Sequence, residues 1–241
     1  MHSPLNRLSP ADYISALNGL SGFLAISFFF SGEMVKGTLM ISMAVLFDGL
    51  DGIVARRYGG PHGRGMQVDS LADVISFCAA PAVALYVVYH GIGSTAMFSV
   101  SIFASLLFVF LGIVRLSAFS REGYSLSYFR GLPTPSASLI ITSSLLIIGK
   151  EALPDNSWAG LPLAFAMSVL MVLPLKYPKP RGPLAVVSAI ILLIFISLLS
   201  ISFYTGYGFA LYGSFLVLIS TSAYIIAGPF YCGRHCPPKT I

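Results

Sequence analysis

Long apolar runs, separated by short polar segments or by glycine and proline, repeat along the whole chain. A helix needs about 20 apolar residues to cross the hydrocarbon core of a bilayer. The pattern predicts eight spans, near residues 17–30, 35–55, 68–89, 96–119, 133–148, 158–175, 184–204 and 209–227. The first run is short, and the segment 10–14 before it is predicted to be an amphipathic helix on the membrane surface. The chain is therefore predicted to be an all-α integral membrane protein, either as eight spans or as six core helices plus two.

Composition excludes an ordinary soluble domain. Apolar residues make up 56% of the 241 residues, charged residues only 10%, and the mean hydropathy is +0.85; soluble proteins carry about 25% charged residues. No internal repeat or long linker divides the chain. We interpret residues 1–241 as one membrane-embedded domain, with a core over about 15–180, extra C-terminal helices over about 182–228 and a tail over 229–241.

The positive charges indicate how the spans are oriented, because loops on the cytoplasmic side carry an excess of Lys and Arg. With both termini inside, only Lys36 and Lys150 of the 14 Lys and Arg residues lie outside. The cytoplasmic ones are Arg7, Arg56, Arg57, Arg64, Arg115, Arg121, Arg130, Lys176, Lys179, Arg181, Arg234 and Lys239. We therefore expect a multi-pass protein of the cytoplasmic membrane. Its basic face, which accounts for the net charge of +5, suits anionic lipid or a phosphorylated substrate better than nucleic acid.

Four of the nine acidic residues lie in the cytoplasmic ends of the second and third predicted spans: Asp48, Asp51, Asp69 and Asp73. Carboxylates in a membrane segment are costly, so they normally face a protein interior or a wet cavity and serve a function. Asp48 and Asp51 are three residues apart, and the other two are four apart, so each pair projects from one face of its helix. Two such faces together offer oxygen ligands for Mg²⁺ or Mn²⁺, in a site of one or two ions.

Two glycines are spaced to leave room beside these carboxylates. Gly52 follows Asp48 by four residues, and Gly65 precedes Asp69 by four. A position without a Cβ lets a bulky ligand approach the helix. Close helix packing is the alternative explanation for either glycine.

The whole segment from Asp48 to Asp73 matches the pattern D-x2-D-G-x2-A-R-x8-G-x3-D-x3-D, and so resembles the CDP-alcohol phosphotransferase family. The resemblance implies a helical membrane enzyme, a homodimer, in which an alcohol displaces CMP from a CDP-linked lipid with the help of divalent metal. It also implies that Asp48, Asp51 and Asp69 hold the principal metal ion. Asp73 would complete a second metal site and take the proton of the alcohol. By the same resemblance, the CDP group is bound by Gly52, Ala55, Arg56 and Gly65.

Other stretches resemble the phosphatidylserine synthase branch of that family, namely residues 69–81, 112–120 and 129–135, and more weakly 170–172 and 177–178. This favours L-serine as the acceptor, with CDP-diacylglycerol or CDP-archaeol as the donor. The chain departs from the branch at Ala118 and Ser120, where the branch usually has a basic residue and an asparagine. Because the serine carboxylate needs a bidentate donor, Arg115 or Arg130 is the candidate to bind it.

Two other functions are compatible with parts of the sequence. An acceptor that already carries phosphate, such as glycerol 3-phosphate or inositol phosphate, would use the same chemistry with a denser basic pocket. A divalent-cation transporter would also use membrane carboxylates, but along a path through the bilayer rather than at one end of it. The C-terminal Cys232, His235 and Cys236 offer soft ligands, but they lack the second ligand pair usual in a tetrahedral zinc site.

Overall fold

The computed structural model describes residues 9–58, 65–91, 95–122, 128–151, 158–180 and 182–235, and almost all of them are helical. The helices are α1 (Pro10–Phe30), α2 (Met34–Tyr58), α3 (Gly65–Asp73), α4 (Ala80–Gly91), α5 (Thr95–Glu122), α6 (Thr134–Glu151), α7 (Gly160–Val172), α8 (Pro183–Thr205) and α9 (Gly208–His235). A π-helical segment, Val74–Ala79, joins α3 to α4 without a break. Two short strands, β1 (Tyr128–Arg130) and β2 (Lys176–Pro178), complete the described structure.

Six stretches of helix in the described residues are long and apolar enough to cross a membrane, and two further apolar helices are shorter. The six are Pro10–Phe30, Met34–Ala55, Gln67–His90, Thr95–Ser120, Pro183–Thr205 and Gly208–Gly233, and the shorter two are Thr134–Ile148 and Gly160–Val172. These eight correspond to the eight predicted apolar runs, so the prediction of an all-α membrane protein is confirmed. The sixth run ends earlier than predicted because the chain becomes extended after Val172 and forms β2.

The surface helix predicted over residues 10–14 does not exist as a separate element, because these residues form the first turns of α1. Ser9 caps this helix: its hydroxyl accepts a hydrogen bond from the Asp12 backbone, and the Asp12 carboxylate accepts one from the Ser9 backbone. Pro10 occupies the first position of the helix, where a missing N–H costs nothing. Asp12 is only 4% exposed. The start of α1 is therefore continuous with the first candidate span, and its Ala11 and Asp12 side chains are packed into the protein.

Helix α6 is largely buried and contacts α2, α4, α7 and α9. Helix α1 packs along α2 and also against α3, the π-helical segment and α4. Its approach to the π-helical segment depends on Gly22, where a Cβ would lie 2.6 Å from Cα of Ser76. Outward-facing apolar side chains such as Phe103, Leu106 and Ile190 remain exposed, as expected of surfaces that face lipid.

The strand β1 follows α5, the strand β2 follows α7, and the two are hydrogen-bonded to each other. They pair antiparallel, with Tyr128 opposite Pro178 and Arg130 opposite Lys176. Gly131 follows β1 with φ of 73°, a conformation that favours glycine, and a Cβ there would come within 2.8 Å of the Met171 carbonyl carbon. This small sheet therefore fixes two connecting segments beside the end of α5.

Candidate active site

Three carboxylates from two helices converge in the structure. Asp48 and Asp51 lie near the end of α2, and Asp69 lies in α3. One carboxylate oxygen from each residue lies within 4.8 Å of the oxygens of the other two. The fixed helical spacing places the Asp48 and Asp51 side chains on one side of α2, and the packing of α3 brings Asp69 up to them.

Asp73 lies one helical turn beyond Asp69 and is not part of that group of three. It is 8% exposed and is the last residue before the π-helical segment. Such segments are rare and often occur at functional sites, because the extra residue changes the direction of the neighbouring side chains. Asp73 is therefore next to the group formed by Asp48, Asp51 and Asp69, but it lies where α3 passes into the π-helical segment.

Helix α1 supplies hydrogen-bond donors to two of the aspartates. Ser15 Oγ donates to Oδ2 of Asp51 at 2.6 Å, and Asn18 Nδ2 donates to Oδ1 of Asp73 at 3.0 Å. Ser76, in the π-helical segment, donates in turn to the backbone carbonyl of Asn18 at 2.8 Å. These α1 residues were not predicted from the sequence as site residues. The available signal was the three-residue spacing of Asp12, Ser15 and Asn18, which places polar side chains on one face of a mostly apolar helix.

A buried arginine on another helix interacts with the carboxylates. Arg115, on α5, is 6% exposed, and its guanidinium interacts electrostatically with Asp48 and Asp73. Its Nη1 donates to Oγ1 of Thr134 at 3.1 Å, whereas Nε has no hydrogen-bond partner among the described residues. The site therefore combines an acidic group with one buried cation whose donors are only partly used.

Two phenylalanine rings contact the positively charged side chains near the site. The Arg115 guanidinium lies 5.3 Å from the ring centroid of Phe119 and 5.7 Å from that of Phe129. Lys179 Nζ lies 5.6 Å and 5.3 Å from the same two rings. In the sequence, Lys179 served only as one of the positive charges that indicate membrane orientation. Its place near these rings could not be predicted, because it depends on the pairing of β1 with β2. Arg130, the other predicted acceptor residue, is exposed at the end of β1.

The residues predicted to contact CDP are only partly described. Gly52 is half-buried and Ala55 is exposed, both on α2 beyond Asp51. Gly65 begins α3, but its surroundings lie outside the described residues, as does the side chain of Arg56. The end of α2 that carries these positions therefore leads away from the carboxylates toward the segment 59–64, which also lies outside the described residues.

The carboxylate group fits a hard divalent cation. All three side chains offer oxygen ligands, the type that Mg²⁺ and Mn²⁺ prefer. Asp69 Oδ1 is buried and has no hydrogen-bond partner among the described residues. A buried carboxylate oxygen without a partner is costly, and a cation would satisfy it.

An open groove of about 380 Å³ lies between α3 and α5. Its lining residues are Gln67, Ser70, Leu71 and Ser120. Ser70 and Ser120 are joined by a hydrogen bond of 3.1 Å between their hydroxyls. Ser120, one of the two departures from the expected sequence pattern, thus ties α5 to the helix that carries Asp69.

The fold and this site define a polytopic helical membrane protein with a carboxylate group suited to a divalent cation. The family model described as CDP-alcohol phosphatidyltransferase matches residues 8–198, and the chain belongs to this family. The chain is therefore a transferase of substituted phosphate groups. Members of the family generally depend on divalent metal.

Several curated proteins are similar over most of the chain. The archaetidylserine synthase of Methanothermobacter thermautotrophicus is 37% identical over 176 residues, which are 71% of this chain and 70% of that protein. The CDP-diacylglycerol–serine O-phosphatidyltransferase of Methanocaldococcus jannaschii is 31% identical over 169 residues, covering 70% and 73% of the two chains. The enzyme of the same name from Saccharomyces cerevisiae is 34% identical over 171 residues, 64% of this chain and 59% of that protein.

Proposed function

We propose that this protein transfers the lipid phosphate group of CDP-diacylglycerol or CDP-archaeol to the hydroxyl group of L-serine and releases CMP. The observation that carries the chemistry is the convergence of Asp48, Asp51 and Asp69, with Asp73 one turn away. The choice of serine is supported by the names of the similar proteins, which are serine phosphatidyltransferases and an archaetidylserine synthase.

The proposed reaction is a displacement at the phosphorus that carries the lipid. The serine hydroxyl oxygen forms a new bond to this phosphorus, and the bond between the phosphorus and the CMP oxygen breaks, with its electron pair leaving on CMP. The hydroxyl proton passes to the carboxylate of Asp73, which acts as the general base. Asp73 suits this role because it is held by Asn18 and stands outside the three-carboxylate group.

The cation would be held by Asp48, Asp51 and Asp69, and Asp73 would contribute to a second ion. We propose Mg²⁺ or Mn²⁺ for both positions. A bound divalent cation neutralises diphosphate charge and stabilises the leaving CMP. The protein's part is to hold the carboxylates in place, and the bond from Ser15 to Asp51 does this for one of them.

The CDP group would lie along the end of α2. Gly52, Ala55 and Gly65 would leave room for it, and Arg56 would contact its phosphates. The half-buried Gly52 and exposed Ala55 support this placement, because both follow Asp51 on α2 and neither is fully covered by the protein.

Arg115 is proposed to bind the serine carboxylate, with Arg130 contacting the acceptor as it enters. The unpartnered Nε of Arg115 supports this role, since a guanidinium can use two parallel donors on a carboxylate. Arg130 is exposed on β1, and β1 also carries Phe129, whose ring lies next to the guanidinium of Arg115.

The test is CMP release by the purified protein with Mn²⁺ or Mg²⁺. L-Serine, glycerol 3-phosphate and inositol phosphate are compared as acceptors, each with CDP-diacylglycerol and with CDP-archaeol. We expect release that requires serine, and the better donor identifies the lipid class. Release only with a phosphorylated acceptor would retain the phosphotransfer chemistry and refute the serine assignment.

We also propose that the protein is a single-domain homodimer of the cytoplasmic membrane whose active site faces the cytoplasm. The distribution of Lys and Arg supports this orientation. A membrane-impermeant thiol reagent should label Lys36→Cys in intact cells and Arg57→Cys only after permeabilisation, each compared with the unsubstituted chain.

The homodimer is tested by light scattering of the protein in detergent. The measured protein mass should be twice the chain mass of 25.7 kDa after correction for bound detergent.

A further inference from the structure

Asn18 is the most deeply placed polar side chain of α1 at the site. Its exposure is 0%, and it faces α3 and the π-helical segment because α1 comes unusually close there. Gly19 and Gly22 allow this approach: a Cβ at Gly19 would contact Ala72 at 3.4 Å, and one at Gly22 would lie 2.6 Å from Cα of Ser76. The closeness of the helices brings the Asn18 amide within reach of a carboxylate on the neighbouring helix.

Both the side chain and the backbone of Asn18 are hydrogen-bonded to the neighbouring helix. The side-chain Nδ2 donates to Oδ1 of Asp73 at 3.0 Å, and the backbone carbonyl of Asn18 accepts a bond from Ser76 at 2.8 Å. Ser76 lies three residues after Asp73, so the same short stretch of chain contacts both the side chain and the backbone of Asn18. This orientation suits an ionised Asp73, because an amide oxygen in that place would oppose a carboxylate oxygen with no proton between them.

The other amide atom is left without a partner. Asn18 Oδ1 is buried and makes no hydrogen bond among the described residues. Burial of an unpaired acceptor is unfavourable, and an apolar residue of similar shape would avoid it. Stability alone therefore does not explain an asparagine here, whereas the need for a neutral N–H donor toward Asp73 does.

We propose that Asn18 is the positioning residue of Asp73. Its N–H occupies Oδ1 and sets the plane of the carboxylate, so that Oδ2 is the oxygen presented to the acceptor hydroxyl. A neutral amide does this without adding charge, since a lysine would form an ion pair with the base and an aspartate would add a fifth negative charge beside the four aspartates. This inference rests on the proposed function, in which Asp73 receives the proton.

The test compares Asn18→Leu, which keeps the size of the side chain and removes the donor, with the wild-type protein. We expect kcat for serine-dependent CMP release to fall by about 30-fold or more, because the general base loses its orientation. The KM for the CDP-lipid should stay within about threefold, as should the affinity for the Mn²⁺ ion assigned to Asp48, Asp51 and Asp69, measured by paramagnetic resonance. A purely structural role would instead change all three quantities together with the melting temperature.

A control on the same helix is Ser21→Ala, because the Ser21 hydroxyl bonds only the Leu17 carbonyl of its own helix among the described residues. This variant should keep the wild-type kcat. Asn18→Asp, which has the same shape but no N–H donor when ionised, should lose at least as much activity as Asn18→Leu. If Asn18→Leu cannot be purified in a folded form, Asn18→Asp is compared with the wild-type protein in its place.

The outcomes separate this inference from the proposed function. A wild-type protein without serine-dependent CMP release would refute the proposed function, and this is measured first. An active wild-type protein together with Asn18→Leu at more than half of the wild-type kcat would overturn the positioning role alone. The positioning role would also be overturned if Asn18→Leu weakened binding of the Mn²⁺ ion assigned to Asp48, Asp51 and Asp69 and kcat returned to the wild-type value at saturating Mn²⁺.

Discussion

Ser15 and Asp51 lie on different helices, yet the hydroxyl of Ser15 donates a hydrogen bond of 2.6 Å to Oδ2 of Asp51. Helix α1 thereby orients a carboxylate that belongs to α2. One oxygen of Asp51 is held by this bond, and the carboxylate faces Asp48 and Asp69 in a defined orientation. The arrangement of the acidic group therefore depends on a residue outside the acidic motif.

Replacement of Ser15 by alanine tests this dependence. A hydrogen bond to a charged group contributes about 1.5–3 kcal/mol, so we expect the Mn²⁺ concentration for half-maximal CMP release to rise by roughly tenfold. The rate at saturating Mn²⁺ should remain close to that of the wild type. Ser27→Ala is the matched control, because the exposed Ser27 hydroxyl bonds only the Phe23 carbonyl of α1 among the described residues. An unchanged metal requirement in Ser15→Ala would contradict the orienting role.

The four aspartates should separate into two groups when each is changed to asparagine. Asp48→Asn, Asp51→Asn and Asp69→Asn should each weaken Mn²⁺ binding by more than about tenfold, because the three carboxylates converge on one place. Asp73→Asn should still bind at least one Mn²⁺ but lose serine-dependent turnover. Paramagnetic resonance titration measures the binding, and a CMP assay after removal and return of metal measures the activity. Loss of all Mn²⁺ binding in Asp73→Asn would contradict this division.

The acidic motif could be found from the sequence because helical spacing fixes which side chains share a face. Asp48 and Asp51 are three residues apart on one helix, so their proximity follows from the helix alone. The apolar runs likewise predicted the spans, because the requirement to cross a bilayer sets their length. These features depend on local geometry and not on how the helices are arranged.

The contributions of α1 and Lys179 could not be found in the same way, because they depend on packing between distant segments. Serine is common in membrane helices, and most such hydroxyls bond their own backbone, as those of Ser21 and Ser27 do. Only the approach of α1 to its neighbours distinguishes Ser15 and Asn18 from them. Lys179 reaches Phe119 and Phe129 only because β2 pairs with β1.

Arg115→Lys should discriminate between acceptor binding and simple charge balance. Lysine keeps the positive charge but loses the planar pair of donors that a carboxylate can use. We expect the KM for serine to rise by about tenfold or more, with the KM for the CDP-lipid little changed. Arg130→Lys should have a smaller effect, because Arg130 is exposed while Arg115 is buried. Equal KM values for serine in Arg115→Lys and the wild type would refute acceptor binding by this guanidinium.

The close contact of α1 with the π-helical segment should make Gly22 intolerant of a larger side chain. In Gly22→Ala the new Cβ would lie 2.6 Å from Cα and 2.8 Å from N of Ser76, and these are backbone atoms that cannot move aside without moving the helix. Overpacking of this kind costs about 1–3 kcal/mol, so the melting temperature in detergent should fall.

The same substitution should also lower activity, because a displaced α1 carries Ser15 and Asn18 away from Asp51 and Asp73. Gly233→Ala is the matched control, since a Cβ at that helical position meets nothing within 4 Å and alanine favours the helix. That variant should melt at the wild-type temperature or above and keep full CMP release. If Gly22→Ala melted like Gly233→Ala and retained its activity, α1 would not need to contact the π-helical segment closely for the site to form.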